Sequence, residues 1–318
     1  MKNIKIESQK KLDKIVLKLK CAYPHSEEFN KKICIYACGS LGRLELAEAS
    51  DLDLFFIIMD TNKQEKDEQY SNIDKYNFFS NLYTINKELG YKDPSKNGLY
   101  WNFINIDKLL DIGSREEDFN NSFTARMLLL LESKPLYNKS AYNQLVKLII
   151  DKYFVDYKVH GRNFYPLFLM NDILRYWYTL TLNYEYRRDN KDTENEKNWK
   201  RLKLKYARFI TCFSMIACLY KKDITRKFVI DCVKKTPFER LHMLSLYYED
   251  IKHIIKEIEI KYKWFLDLRK EMPEWWDKAS NKKSAKDNAE SFHKIVLHEL
   301  LKTLSHANPE LRNRTDSY

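Results

Sequence analysis

Two kinds of hydrophobic spacing divide the chain. Up to about residue 106, short apolar runs alternate with amphipathic stretches; beyond it, helical spacing dominates. Leu12, Ile15, Val16 and Leu19 recur at helical intervals and predict a Lys-rich amphipathic helix over 7–21. The run Ile33–Cys38 predicts a strand, 41–49 a short helix, and Leu52–Met59 a second strand. After the polar residues 60–71 a helix is predicted over 72–89, ended by Gly90, and a third strand over 99–106. Residues 124–132 are apolar nearly all round, which predicts a buried helix broken by Pro135. Further helices are predicted near 138–153, 167–188, 198–221, 224–234, 237–268 and 286–305. A charged linker over 189–197, a polar break over 274–287 after Pro273, and a frayed tail over 312–318 complete the reading.

Glycine sharpens the division. All six glycines lie at or before residue 161, and the remaining 157 residues have none. A Gly-free half is hard to build from tight turns and strands and favours helices. The expected fold class is α+β: a small mixed-sheet domain over 1–135, then an all-α helical bundle domain over 136–318.

Composition narrows the classes further. No apolar stretch approaches the roughly 20 residues that cross a bilayer, and the opening Met-Lys-Asn-Ile-Lys-Ile-Glu has no signal-peptide apolar core. The six Cys lack paired spacing, and Cys34, Cys38, Cys212 and Cys218 lie in apolar runs. That reads as buried reduced thiols in a cytoplasmic protein with no membrane partner. The seven His lack ligand spacing; His293 and His298 read as ordinary helix residues. A formal charge of +11 permits an anionic partner such as RNA, DNA or a triphosphate, although a Lys- and Asn-rich coding bias would produce the same excess.

The chemistry is concentrated in 39–53. Gly39 and Ser40 follow the first apolar run, and after a gap of ten residues come Asp51, Leu52 and Asp53, leading into the second. In a strand, i and i+2 share a face, so Asp51 and Asp53 present two carboxylates together. Adjacent carboxylates repel unless a cation lies between them, and Mg²⁺ commonly uses one or two carboxylates with substrate phosphates. The Gly-Ser turn and the helix after it offer N–H groups to a phosphate. Arg43 either pairs with a phosphate oxygen or forms a structural salt bridge to Glu45 or Glu48.

This spacing resembles the signature of the polymerase-β-type nucleotidyltransferase superfamily: Gly-Ser, a ten-residue gap, then Asp-x-Asp. Gly42, Arg43, Glu45 and Ser50 make it most similar to the branch containing the regulatory uridylyltransferases of bacterial nitrogen signalling and their uncharacterised relatives. Residues 122–133 and 168–175 resemble segments of an uncharacterised bacterial family with that domain plus a helical region. The resemblance implies transfer of a nucleoside monophosphate from a nucleoside triphosphate to a protein, RNA or small-molecule hydroxyl, with release of pyrophosphate. It implies two Mg²⁺ or Mn²⁺ ions on Asp51 and Asp53, with Gly39 and Ser40 at the β- and γ-phosphates.

A third carboxylate on a later strand completes the pattern in active members. Here that strand has no acid in its middle. Asp107 at its end is the candidate, with Asp93 before it and Asn102 and Asn105 inside. Farther on, Asp172, Arg175, Thr179 and Asn183 form a polar stripe on an apolar helix, flanked by Asn171 and Glu185. The stripe either touches nucleotide or acceptor, with Asp172 or Glu185 as base, or is an internal Asp172–Arg175 bridge. Lys205 and Arg208, at i,i+3 on the next helix, are candidate triphosphate or RNA contacts; Lys200 and Lys203 read as a solvated face. Tyr176, Trp177 and Tyr178 read as core, and Trp275 and Trp276 as a possible partner patch. The competing functions are a non-catalytic nucleotide-sensing or interaction module, and an RNA-binding protein.

Overall fold

The structure is a computed structural model that describes residues 2–24, 28–46, 51–60, 71–94, 98, 101–113, 121–161, 164–187, 193–269, 278–309 and 311. It is a mixed α+β protein that divides into two compact units, Lys2–Lys152 and the chain from Tyr153 onward.

The first unit is built on a four-stranded sheet of β1 (Ile33–Ala37), β2 (Leu54–Ile58), β3 (Phe103–Asn105) and β4 (Lys134–Tyr137), in the order β3-β2-β1-β4. β1 and β2 are antiparallel with Ala37 opposite Leu54; β2 and β3 are parallel with Phe56 opposite Phe103. One face carries Ile33, Ile35, Ala37, Leu54 and Phe56. Against it lie α1 (Lys2–Ala22), through Leu12, Ile15 and Leu19, and α4 (Asn72–Glu88), through Phe78, Leu82 and Ile85. On the other face Tyr36 stacks on Phe55 at 5.4 Å and donates its hydroxyl to the Ala125 carbonyl at 3.1 Å. Ala125 belongs to α6 (Ser122–Glu132), whose Arg126 is fully buried and reaches the Leu109 carbonyl at 3.4 Å.

The hydrophobic pattern does not predict β4, because Pro135 reads only as a helix breaker. Pro135 does follow the end of α6, but the chain then pairs with β1, with a register irregularity beside Tyr36. Proline is tolerated there because β4 is an edge strand. With α7 (Lys139–Tyr153) following, the first unit extends to Lys152, beyond the expected boundary at 135.

The described part of the second unit is helical. Its centre is α11 (Phe209–Leu219), buried at every position. Three expected long helices are interrupted, that over 286–305 by a π-helical stretch at Ile295–Leu301. The one over 198–221 becomes α10 (Glu194–Lys203), a π-helical turn over Leu204–Arg208, and α11. The one over 237–268 becomes α13 (Pro237–Leu244) and α14 (Lys252–Leu268), separated at Tyr248, whose hydroxyl accepts the Lys222 amide at 3.0 Å. No Gly or Pro marks any of these interruptions, so the spacing reads through them. The expected polar break over 274–287 is helical from Ala279, where α15 (Ala279–Lys294) begins. Within α9 (Leu167–Arg187), Tyr176 is buried as expected, but Tyr178 is 63 % exposed. The Trp275–Trp276 pair and the tail over 312–318 lie outside the described residues.

Candidate functional site

The Gly-Ser turn sits where β1 leaves the sheet and β2 begins. The Cys38 amide donates to the Asp53 carbonyl at 2.9 Å, joining the two strand ends. Gly39 then adopts φ +65° and opens α3 (Gly39–Gly42), a single helical turn. The turn ends early: Leu44 takes φ +58°, a left-handed conformation that costs a branched residue about 1–2 kcal/mol. Among the described residues the helix expected over 41–49 is one turn, residues 47–49 lying outside them, and the peptide dipoles of that turn do not sum to a strong positive end. Any phosphate-binding role falls to local amides. Those of Gly42, Arg43, Leu44 and Glu45 already donate to the carbonyls of Cys38, Gly39, Leu41 and Ser40.

Burial alternates through the acidic pair: Asp51 is half-buried, Leu52 buried, Asp53 exposed and Leu54 buried. Leu52 and Leu54 join the core under α1 and α4, so Asp51 and Asp53 occupy the opposite side. There the Asp53 carboxylate lies against the Gly39 backbone. A Cβ added at Gly39 would stand 2.6 Å from Asp53 Oδ2. Gly39 is thus required twice, for its positive φ and for the space the carboxylate occupies. Gly39→Ala is expected to cost the fold only about 1–2 kcal/mol, since the Asp53 side chain can swing away. Carboxylate-dependent Mn²⁺ binding, measured by calorimetry, is expected to weaken far more than thermal stability.

Arg43 is engaged in ion pairs within the first unit. It is buried, its Nε lies 3.0 Å from Glu45 Oε2, and its Nη1 donates to Glu132 Oε2. The salt-bridge alternative, to Glu45, is present in the structure. Glu132, at the end of α6, was missed as a partner. Its signal was an acid closing an apolar run, where burial demands a counter-charge.

Asp107 is not the third carboxylate of this site. The parallel register of β2 and β3 aligns Ile58 with Asn105, and Asn105 Nδ2 reaches the Asp60 carbonyl at 3.5 Å. Asp107 therefore lies level with the far end of β2, roughly 20 Å from Asp53 at about 3.3 Å per residue. It starts α5 (Ile106–Leu110), its amide capped by Asn105 Oδ1 at 2.9 Å. Asp93 is engaged elsewhere: Lys87, 2.7 Å away, holds its carboxyl below the usual range. Among the described residues no group of three or more His, Cys, Asp or Glu is placed to hold a metal ion. The donor set at Asp51 and Asp53, two hard carboxylate oxygens, fits a single Mg²⁺ or Mn²⁺ whose remaining ligands are phosphate and water. A second ion finds no third acid there among the described residues.

The remaining candidates lie in the second unit. Asp172 is buried, accepts the Tyr153 hydroxyl at 2.5 Å and lies 3.8 Å from Arg175 Nη1. That is the internal bridge, with Tyr153 as a partner the sequence did not suggest. The polar stripe is divided by burial: Asp172 is inside while Asn183 is exposed. Lys205 and Arg208 fall in the π turn, whose i→i+5 bonding rotates them off the shared face expected of an α-helix. Burial, then the neighbouring Arg201, push the Lys205 ammonium below its ordinary value.

His293 of α15 stacks on Phe209 at 3.8 Å, and its Nε2 donates to the Lys205 carbonyl at 2.7 Å. Burial pushes its pKa below 6.5. The folded state therefore disfavours protonation. The unfolded chain takes up the proton near 6.5, so stability is expected to fall as pH drops through and below 6.5. A denaturant series from pH 7.5 to 5 with His293→Gln as control checks this; the wild-type loss over that window exceeds the variant's.

Compared with known proteins, the chain matches no family model, no curated protein and no solved structure.

Proposed function

We propose that the first unit is a nucleotidyltransferase-like domain that holds a nucleoside triphosphate and a divalent cation against Asp51 and Asp53. It transfers the nucleoside monophosphate to an acceptor hydroxyl. A bond forms between the acceptor oxygen and the α-phosphorus, the bond to pyrophosphate breaks, and the hydroxyl proton leaves to solvent or a base on the acceptor side. The observation that carries this reading is the contact of the Asp53 carboxylate with the Gly39 backbone, which places the acidic pair and the Gly-Ser turn at one strand end. The bound cation would supply charge neutralisation for the triphosphate. Asp51 and Asp53 would hold it, and the amides at the start of α3 would orient the phosphates.

A second reading, a nucleotide-sensing module without transfer, is favoured by one observation: no third carboxylate accompanies the pair among the described residues. The two are separated by incubating the protein with each α-³²P-labelled nucleoside triphosphate, Mg²⁺ or Mn²⁺, and a cell lysate. Transfer predicts a labelled protein, RNA or small molecule that disappears with Asp51→Asn/Asp53→Asn and persists with Asp107→Asn. Metal-dependent nucleotide binding without label supports the sensor. Loss of label with Asp107→Asn alone contradicts the site as drawn.

A further inference from the structure

The positive charge of this chain belongs almost entirely to its second unit. Residues 153–318 contain 33 Lys and Arg against 23 Asp and Glu, a net of +10, whereas residues 1–152 contain 23 against 22, a net of +1. A coding bias toward Lys would load both units alike. The first unit is rich in Lys too, but its acids balance them.

Part of the excess lies on α10, beyond the acids Glu194 and Glu196 of its first turn. Lys200, Arg201 and Lys203 are exposed on α10, and Lys203 lies over the Trp199 ring at 5.8 Å. α10 runs into the π turn, where Lys205 follows Arg201 by four residues. α15 meets that turn through His293, and its exposed Lys286 lies two helical turns earlier on the same side. Glu290 partly offsets this group, 4.0 Å from Lys286.

The second unit also carries aromatic rings that the core does not use. α9 also packs on the π turn and buries Leu169, Ile173 and Tyr176. Its outer side shows Tyr178, Leu182 and Tyr186, 63 %, 69 % and 85 % exposed, spaced four residues apart in one line. Cations that track phosphates and exposed rings that accept unpaired bases are the ingredients of single-strand recognition.

We propose that the second unit binds single-stranded nucleic acid, with phosphates held by α10 and bases stacked on Tyr178 and Tyr186. The binding does not require the transfer reaction; only a role for the strand as acceptor would rest on that reading.

The test is fluorescence anisotropy of the full chain with a labelled 20-nucleotide RNA, the same sequence as DNA, their duplexes, and phosphatidylserine-containing vesicles, each over a salt series. Single strands are expected to bind more tightly than duplexes, and the RNA and DNA arms identify the natural polymer. The double variant Arg201→Gln/Lys203→Gln is expected to make the log K against log salt slope shallower by about 1.4, at about 0.7 per phosphate contact. Tyr178→Ala and Tyr186→Ala are each expected to weaken binding roughly tenfold without altering that slope. All four side chains are on the surface, and circular dichroism is the check that the variants fold. Asp53→Asn is expected to bind as the wild type, so a failed transfer assay leaves this result standing. Equal affinity for duplex and single strand, or tyrosine variants indistinguishable from wild type, overturns the stacking surface. Binding to vesicles but not to nucleic acid, or no binding at 50 mM salt, overturns the proposal outright.

Discussion

Alanine at position 42 is expected to unfold the first unit well below the temperature at which the wild-type unit melts. A Cβ at Gly42 would stand 1.8 Å from the Glu132 carbonyl oxygen, 2.8 Å from its carbon and 3.2 Å from the Ala37 carbonyl oxygen. All three atoms are backbone. None can rotate away, unlike the Asp53 carboxylate that faces Gly39. Either the end of α6 or the end of β1 must shift, and β1 is bonded on both sides within the sheet. Overpacking of this kind costs about 3 kcal/mol or more, which for a unit of this size lowers the melting temperature by roughly 10 °C. Thermal denaturation followed by circular dichroism gives the shift. A loss under 1 kcal/mol would mean that α3 and α6 do not meet as described.

Removing the Arg43 guanidinium is expected to be nearly as damaging. Its partners' side chains are 10 % exposed at Glu45 and 1 % exposed at Glu132. Breaking a buried pair from one side leaves a desolvated charge and costs about 3–5 kcal/mol. Arg43→Ala should show that loss in urea unfolding. Arg43→Met combined with Glu132→Gln should lose less than the sum of the two single changes, with a coupling of about 1–3 kcal/mol. Additivity would show that the two side chains do not act together. The pair also holds the segment that leads from the Gly-Ser turn through Leu44, so the same variants should raise the metal concentration needed for nucleotide binding.

Much of the first unit was legible because its signals are local. Ile33–Ala37 and Leu54–Ile58 are short, fully apolar runs with turn residues around them, and Gly90, at φ +74°, follows α4 directly after its C-cap. The meeting of Gly39 with Asp53 follows from two strand ends placed side by side. What was hidden depended on partners distant in sequence. Nothing near Arg43 announces Glu132, which lies eighty-nine residues away. Asp107 could be judged only once the register of β2 against β3 was known, because the same sequence in another alignment would put it beside Asp53. At the break beside Tyr248 the hydroxyl accepts the Lys222 amide from a distant part of the chain, and the residues around it carry no breaker. β4 was concealed by Pro135, whose meaning changes between a central strand and an edge.

That edge position has a consequence for how the molecule behaves in a crowded solution. An open sheet exposes two rows of unpaired backbone groups to neighbouring copies, and such rows template aggregation. Here one margin, β3, is only three residues long, and the other, β4, holds a residue with no amide hydrogen to offer. Both margins are poor templates for a visiting strand. Replacing Pro135 by threonine would restore a donor to the outer margin, and the protein would then be open to joining its sheet to another's.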